Sequence, residues 1–472
     1  MKRKLIAIAL SLCLLLPVLA IAVQAETAPA YTIGNPYASV NWGTWEQYKT
    51  QLHVHTDASD GAVPKDEVIE IHYELDYDIL AITDHMTMGV AWDQVPRTVP
   101  IMRMTNPDRT GMRFITPLTP ERRLEITTGS GPTRDGRARG PMLEVTQGNE
   151  LNGAVFSNNH LNGFFTEYGQ GKLGVDGDWL RPVRGVHADG GLTVINHPGD
   201  VHRAYEDDDP LTFFDRNPRW IDKFAYLFVN YDSSVGMDIS SGWDGKTKYD
   251  RLLYDRIIEK TIPHGVLPWI YTYSDAHSPG EFDRGWTVHL MPDLTVPALR
   301  KSMEDGTFFG FSRSATFEMP DGFRGEGPAP RVSNIAVDQA AGTITIAASE
   351  YTEIVWTTNR TKEVARGATL DIAEYGDEIG TFVRAYLIGP GGVLYVQPFT
   401  ILRAGETLEK ECIRNPFDYS WLLGWWADFG TFAKTWFPPW RAVWWVTTQF
   451  DPALDAPWLA DLLYNWVYSR VF

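Results

Sequence analysis

From about residue 46 to 315, short apolar runs alternate with amphipathic stretches. TQLHVH, DILAIT, LTVINH, AYLFVNY and PWIYTY are almost continuously apolar, as strands of a parallel sheet covered on both faces are. Lys65–Leu75, Lys248–Lys260 and Val296–Glu304 carry amphipathic spacing and end near turn residues, which predicts helices. The alternation predicts an α/β domain. Residues 86–147 break the rhythm with Pro, Gly and no sustained period, and read as a long inserted loop or lid. Gly322–Pro330 (GFRGEGPAP) reads as a linker. Beyond it VSNIAVD, TITIAAS, EIVWTT, TFVRAYLI and VLYVQPFTI alternate at period two, with a GPGG turn between the last two. That pattern predicts a small antiparallel, sandwich-like β-domain over 331–403.

The ends of the chain differ from this interior. Lys2, Arg3 and Lys4 precede nineteen apolar residues and then VQA before Glu26, the layout of a signal peptide over 1–25. The chain is therefore expected to be exported, with an uncleaved membrane anchor as the alternative because the run is long enough to span a bilayer. Residues 26–45 are turn-rich and expected to be a poorly ordered lead-in. The end segment 404–472 is expected to be a largely helical tail, and nine of the eighteen tryptophans lie between Phe417 and Phe472.

Length and charge narrow the class. At 472 residues the chain exceeds one minimal core. Its net charge of −18, about −21 without the leader, argues against a general nucleic-acid partner. Of two cysteines, Cys13 lies in the leader and Cys412 stands alone, so no intrachain disulfide staples an exported protein. Packing, and metal if present, must hold it.

The histidines fall at strand ends. His53 and His55 sit two apart in TQLHVHTDASDG, a spacing that puts both rings on one face of a strand. Asp60 follows in an SDG turn, and DILAIT runs into Asp84–His85. Glu150 lies in GNELNG, His160 in NNHLNG, His197 ends LTVINH, and Asp275 and His277 follow PWIYTY in SDAH. Strand C-termini of parallel α/β sheets share one rim. Six imidazoles and three carboxylates converging there require a cationic partner. Nine donors exceed one coordination sphere, so two or three divalent ions are expected, with Zn, Mn or Fe suited to imidazole and carboxylate. His72, His187, His202, His264 and His289 have no such context.

HVHTDASDG, AITDH, GNE, NNHLN, NHP and SDAH, in that order, resemble the motifs of the PHP (polymerase and histidinol phosphatase) superfamily, in particular predicted phosphoesterases and carbaryl-hydrolase-like members. The resemblance covers residues 50 to about 315. It implies a distorted (β/α)7 barrel over 46–321 with a trinuclear site. On the matching motifs, His53, His55 and Asp275 would hold one ion. His160 and His197 would complete a second, with Glu150 bridging two ions. Asp60, His85 and His277 would hold the third. Asp84 is expected to orient a ligand histidine. The gap from His85 to Glu150 is longer than the family pattern.

Divalent ions bring the pKa of water toward neutrality, so a metal-bridging hydroxide is the expected nucleophile. No G-x-S-x-G elbow, P-loop or dinucleotide fingerprint offers another chemistry. The insert holds nine arginines and no lysine. Those arginines, with Arg284 after SDAH, favour a small anionic substrate and a phosphoesterase, Arg284 neutralising the phosphoryl oxygens. An amide, carbamate or ester hydrolase on the same scaffold is the alternative. A non-catalytic surface-binding protein working through the aromatic tail is the second. That tail is read as packing its aromatics on the domains in preference to a membrane surface, because it is short of basic residues.

Overall fold

The structure, a computed structural model, describes residues 30–103, 115–152, 158–171, 179–413, 415 and 416. The leader and the tryptophan-rich residues from 417 onward lie outside the described residues. Among the described residues no helix is long and apolar enough to cross a membrane.

The chain is a mixed α/β protein. Its strands are β1 (Tyr31–Gly34), β2 (Glu46–Gln51), β3 (Ile79–Ala81), β4 (Leu143–Val145), β5 (Asn149–Asn152), β6 (His160–Phe164), β7 (Leu192–Ile195), β8 (Ser234–Ser241), β9 (Trp269–Tyr273), β10 (Gly285–Met291) and β11 (Phe308–Ser312). The C-terminal half adds β12 (Arg331–Asp338), β13 (Thr343–Ser349), β14 (Glu353–Thr358), β15 (Lys362–Arg366), β16 (Thr369–Asp371), β17 (Phe382–Gly389), β18 (Gly392–Tyr395) and β19 (Phe399–Arg403).

The expected closed barrel is not formed by continuous ladders. One sheet runs β1-β19-β17-β18-β11-β10-β2-β3-β4, with β14 and β15 attached through β17, and a second runs β5-β6-β7-β8-β9. Among the described residues the strand pairing between them is limited to two single bridges, Val54 with Ala276 and His85 with Glu150. Both seams carry candidate ligands or their immediate neighbours. There the backbone turns out of extended conformation, with φ of 49° at Met86 and 47° at Asp275, which ends ladder pairing.

The helices Lys65–Glu74, Asp250–Thr261 and Val296–Asp305 form where their spacing predicts. AYLFVNY is a correction: it lies in the helix Arg219–Asn230, whose Trp220, Ile221, Phe224, Ala225, Leu227 and Phe228 are buried. That spacing is helical, and the apolar run hides it. The fully buried strand lies after it, as SVGMDISS in β8. Within the insert, Thr119 caps the helix Pro120–Thr128 and Gly129 ends it in left-handed conformation.

The C-terminal strands make a second layer, β12-β13-β16, packed on β14, β17 and β19 through Val332, Ile335, Ile344, Ile346, Trp356 and Leu387. A bulge between Val332 and Asn334 lets residues three apart both face inward. Two expectations change here. Of the strands following the linker, β14, β15, β17, β18 and β19 share a sheet with β2, β10 and β11. The lead-in is packed: β1 pairs with β19, and the buried Tyr37 donates from its hydroxyl to Phe308 O and accepts from Gln397 N.

Candidate metal centre

β2, β3, β7 and β9 end on one rim, and the residues beyond those ends supply seven donors, while Glu150 lies within β5 and His160 opens β6. His53 and His55 follow β2 and are fully buried. The chain then doubles back so that Asp60 returns to His55, with Asp60 Oδ1 3.4 Å from His55 Nδ1. Gly61 is required there, since a Cβ would lie 2.6 Å from the His55 carbonyl carbon. His197 adopts φ of 26° just past β7.

All nine expected donors come together. Glu150 Oε1 lies 3.2 Å from His53 Nε2, 3.2 Å from His160 Nδ1 and 3.3 Å from His197 Nε2. Its Oε2 lies 3.3 Å from His55 Nε2 and 3.1 Å from His85 Nδ1. Asp275 Oδ1 is 3.2 Å from both His53 Nε2 and His55 Nε2. Asp60 Oδ2 is 3.3 Å from both His85 Nε2 and His277 Nε2. Three overlapping donor groups result: His53, His55, Glu150 and Asp275; His55, Asp60, His85 and His277; and His85, Glu150 and His160. His160 thus groups with His85 and Glu150, while His197 stands beside Glu150, 3.8 Å from Asp275.

The donors fit metal. His53 Nδ1 and Nε2, His55 Nε2, Glu150 Oε2, His197 Nδ1 and Asp275 Oδ1 are buried and have no hydrogen-bond partner among the described residues. Buried polar atoms this close, yet unbonded, are costly unless another partner fills the gap. Donors about 2.1 Å from a shared ion stand roughly 3.0–3.4 Å apart, as these do. Zn, Mn or Fe suits the imidazole–carboxylate set, which does not choose among them.

Charge follows the same logic. Burial raises the pKa of Glu150, but His160, His53 and His85 outweigh it and hold the carboxyl well below its ordinary value. Asp275 and Asp60 are held low in the same way, by His53, His55, His277 and His197 and by His85, His277 and His55 respectively. Against the opposing effect of burial, Glu150 and Asp275 push His197 up to about 10. Burial lowers His53 and His160 despite their carboxylate neighbours.

Two residues expected to assist the donors take the following partners. Asp84 reaches a ligand histidine through Ser59, whose Oγ lies 3.4 Å from His55 Nδ1. It accepts from Thr56 N at 2.8 Å, Thr56 Oγ1 at 2.6 Å and Ser59 Oγ at 2.7 Å, and so fixes the turn that carries Asp60. Arg284 reaches no donor carboxylate; its Nη2 donates to Glu281 Oε1 at 2.8 Å. The insert arginines are also committed elsewhere. Arg122 pairs with Glu70 and Glu125, Arg123 with Glu144, Arg134 with Glu67 and Glu74, Arg137 with Asp76 and Arg139 with Asp78. Arg122, Arg134, Arg137 and Arg139 clamp the insert to the helix Lys65–Glu74 and its following turn, and Arg123 bridges within the insert. Arg109 and Arg113 lie outside the described residues.

Three asparagines escaped the sequence reading. Asn196 donates to Glu150 Oε1 at 2.8 Å and to Asn162 Oδ1 at 3.0 Å, and Asn162 donates to Leu52 O. Asn152 lies 3.0 Å from His85 Nδ1 and 2.9 Å from His160 Nε2. Such partners set ring orientation and tautomer. Their adjacency to GNE, NHLN and NHP was the available signal.

No protein-family model matches the chain, and no curated protein matches it. Among solved structures it is similar to a two-domain protein containing a predicted PHP-like metal-dependent phosphoesterase from Bacteroides vulgatus, at 14% identity and a TM-score of 0.37, over 76% of this chain and 88% of that one. It is also similar to an amidohydrolase from Chromobacterium violaceum with bound sulfate and no metal, at 16% identity and a TM-score of 0.27, over 55% and 96%.

Proposed function

We propose that the chain is a metal-dependent hydrolase acting on a phosphoester of a small anionic molecule. The observation that carries this is the nine-donor cluster with its unbonded, convergent atoms. Divalent ions held there supply Lewis-acid activation and bring the pKa of water near neutrality. The chain supplies position. Glu150 spans two donor groups, and the Asn196–Asn162 pair keeps its Oε1 fixed. The cluster is closed on one side and open on the other: His53, His55 and Glu150 side chains are at most 1% exposed, against 20% for Asp60, 23% for Asp275 and 34% for His277. Substrate enters over Asp60, Asp275 and His277. Arg284 lies beside the turn at Gly242 that packs on Ser274 O, next to Asp275, and its guanidinium favours a substrate that carries an anionic group.

The test combines composition with turnover. Elemental analysis of purified protein should find two to three equivalents of divalent metal, falling by at least one in His53→Ala and Glu150→Gln. With added Mn or Zn, aryl phosphomonoesters or diesters should turn over. Hydrolysis of an aryl carbamate alone would replace phosphoester by amide-type chemistry. Fewer than two equivalents, unchanged in both variants, would end the metal reading.

A further inference from the structure

The open side of the cluster carries a second group of side chains that bond breaking does not use. Ser241 of β8 pairs with Tyr273 of β9, so Trp243 and Asp275 leave the two strands at the same end. A Cβ at Gly242 would lie 3.8 Å from Arg284 Nη1 and 3.9 Å from the carbonyl of Ser274. The turn before Trp243 therefore packs beside the residue that precedes a metal donor. Trp243 is 41% exposed, in a protein that buries most of its large apolar side chains.

Two guanidinium groups stack on that indole. Arg284 Cζ lies 3.7 Å and Arg324 Cζ 3.9 Å from its centroid. Arg284 is buried, bonded to Glu281, and its Nε has no hydrogen-bond partner among the described residues. Glu281 in turn accepts from the backbone N–H of His277 and Ser278, which couples this arginine to a donor loop. Arg324 is exposed, and among the described residues its guanidinium donates, through Nη1, only to the carbonyl of Phe323.

Arg324 belongs to the segment that reads as a linker, yet that segment is anchored. Gly325 N donates to Arg313 O at 2.8 Å and Glu326 N to Pro390 O at 2.9 Å. A side chain at Gly325 would collide with Gly391 O at 2.1 Å. The anchoring brings a second cation to the mouth of the site. Two cations sharing one indole, with Glu281 as the near counter-charge, leave an excess positive charge facing solvent.

We propose that Arg284 and Arg324, held together on Trp243, form a rim that selects substrates by binding an anionic group, carboxylate or phosphate, outside the scissile bond. This rests on the hydrolase reading only for the word substrate. Because Arg284 is directed to Glu281 and Trp243 and not to the donor carboxylates, it recognises the part of the molecule that is not cleaved.

The test uses the full metal-loaded chain and two aryl phosphoesters that differ only in a carboxylate or a carboxamide on the leaving group. The intact protein should prefer the carboxylate. Arg324→Gln should cut that preference about fivefold, the scale of one exposed ion pair, and Arg324→Glu should reverse it. Arg366→Gln, the same charge change on a distant strand, should leave it intact. Calorimetric titration with the carboxylated phenol alone, and with a phosphonate of the same shape, reads the rim without any turnover and tells the two anions apart. If phosphoesters are not cleaved but phenol binding weakens in Arg324→Gln, the rim stands and the phosphoesterase reading falls. If turnover occurs while both preference and binding are unchanged in Arg324→Gln, the rim is refuted.

Discussion

Glu150 shows how much a single residue's role depends on its surroundings. Five imidazoles lie within 3.3 Å of its two oxygens, and only Asn196 gives it an ordinary hydrogen bond from a neutral amide. His72 and His289 are buried with Nε2 unbonded among the described residues, and burial pushes their pKa values from 6.5 down to about 4 and about 3. The unfolded chain takes up these protons below pH 6.5 while the folded chain refuses them until about pH 4 and pH 3. Stability present above pH 6.5 is therefore lost as pH falls through that window. By pH 4.5 the loss is on the order of 2–3 kcal/mol per histidine. Urea unfolding at pH 7.5 and 4.5 should show a shallower pH dependence in His289→Gln than in the parent; equal slopes would refute the assignment. Subtracting the two proteins removes the shared effect of acid on the metal site.

Among the elements, the turn after β2 matters most for the site. Its sequence HVHTDASDG reads as a ligand motif, but the element that shapes it comes from after β3, where Asp84 receives three hydrogen bonds from Thr56 and Ser59. Asp84→Ala leaves the buried Thr56 N–H without its partner, a loss of about 1–3 kcal/mol. It should also release Asp60 from the second donor group. Chemical denaturation and metal content measured together check this: one equivalent lost, with the remainder retained. Full metal content at lowered stability would make Asp84 structural only. Helix and strand signals compete in AYLFVNY, where a local apolar run reads as strand while the wider spacing from Trp220 to Phe228 buries one helical face. A short window sees the run, and the helix needs twelve residues to show itself.

At the scale of the molecule, buried ion pairs join the two halves. Arg384 on β17 meets Asp255 of the helix Asp250–Thr261 at 2.9 Å, with both side chains at most 2% exposed. Arg251 is buried among Asp244, Glu318 and the Tyr395 hydroxyl of β18. Removing one partner of such a pair strands the other charge, so Arg384→Met should destabilise by about 3–5 kcal/mol. The double variant Arg384→Met with Asp255→Leu should recover much of that, since an apolar pair replaces both charges. Denaturant unfolding of the three proteins measures it; no recovery in the double variant would mean the arginine acts through packing alone. The continuous sheet through β18, β11, β10 and β2 gives the same expectation of one cooperative unit.

The sequence by itself determined the chemistry of the donors and three of the helices, because ligand types, strand ends and amphipathic spacing are local properties. The nine donors were legible as a set, since each follows an apolar run or sits in a short polar motif. Tertiary structure alone decided what those properties cannot express. It placed Arg122 and Arg134 on the helix Lys65–Glu74 and away from the cluster, because a guanidinium goes to the nearest carboxylate in space. It grouped His160 with His85, brought Asn196 to Glu150, and turned a linker arginine onto Trp243. It also opened the barrel into two sheets joined at His85–Glu150 and Val54–Ala276, where the backbone leaves the extended state beside the donors and cannot also continue a ladder.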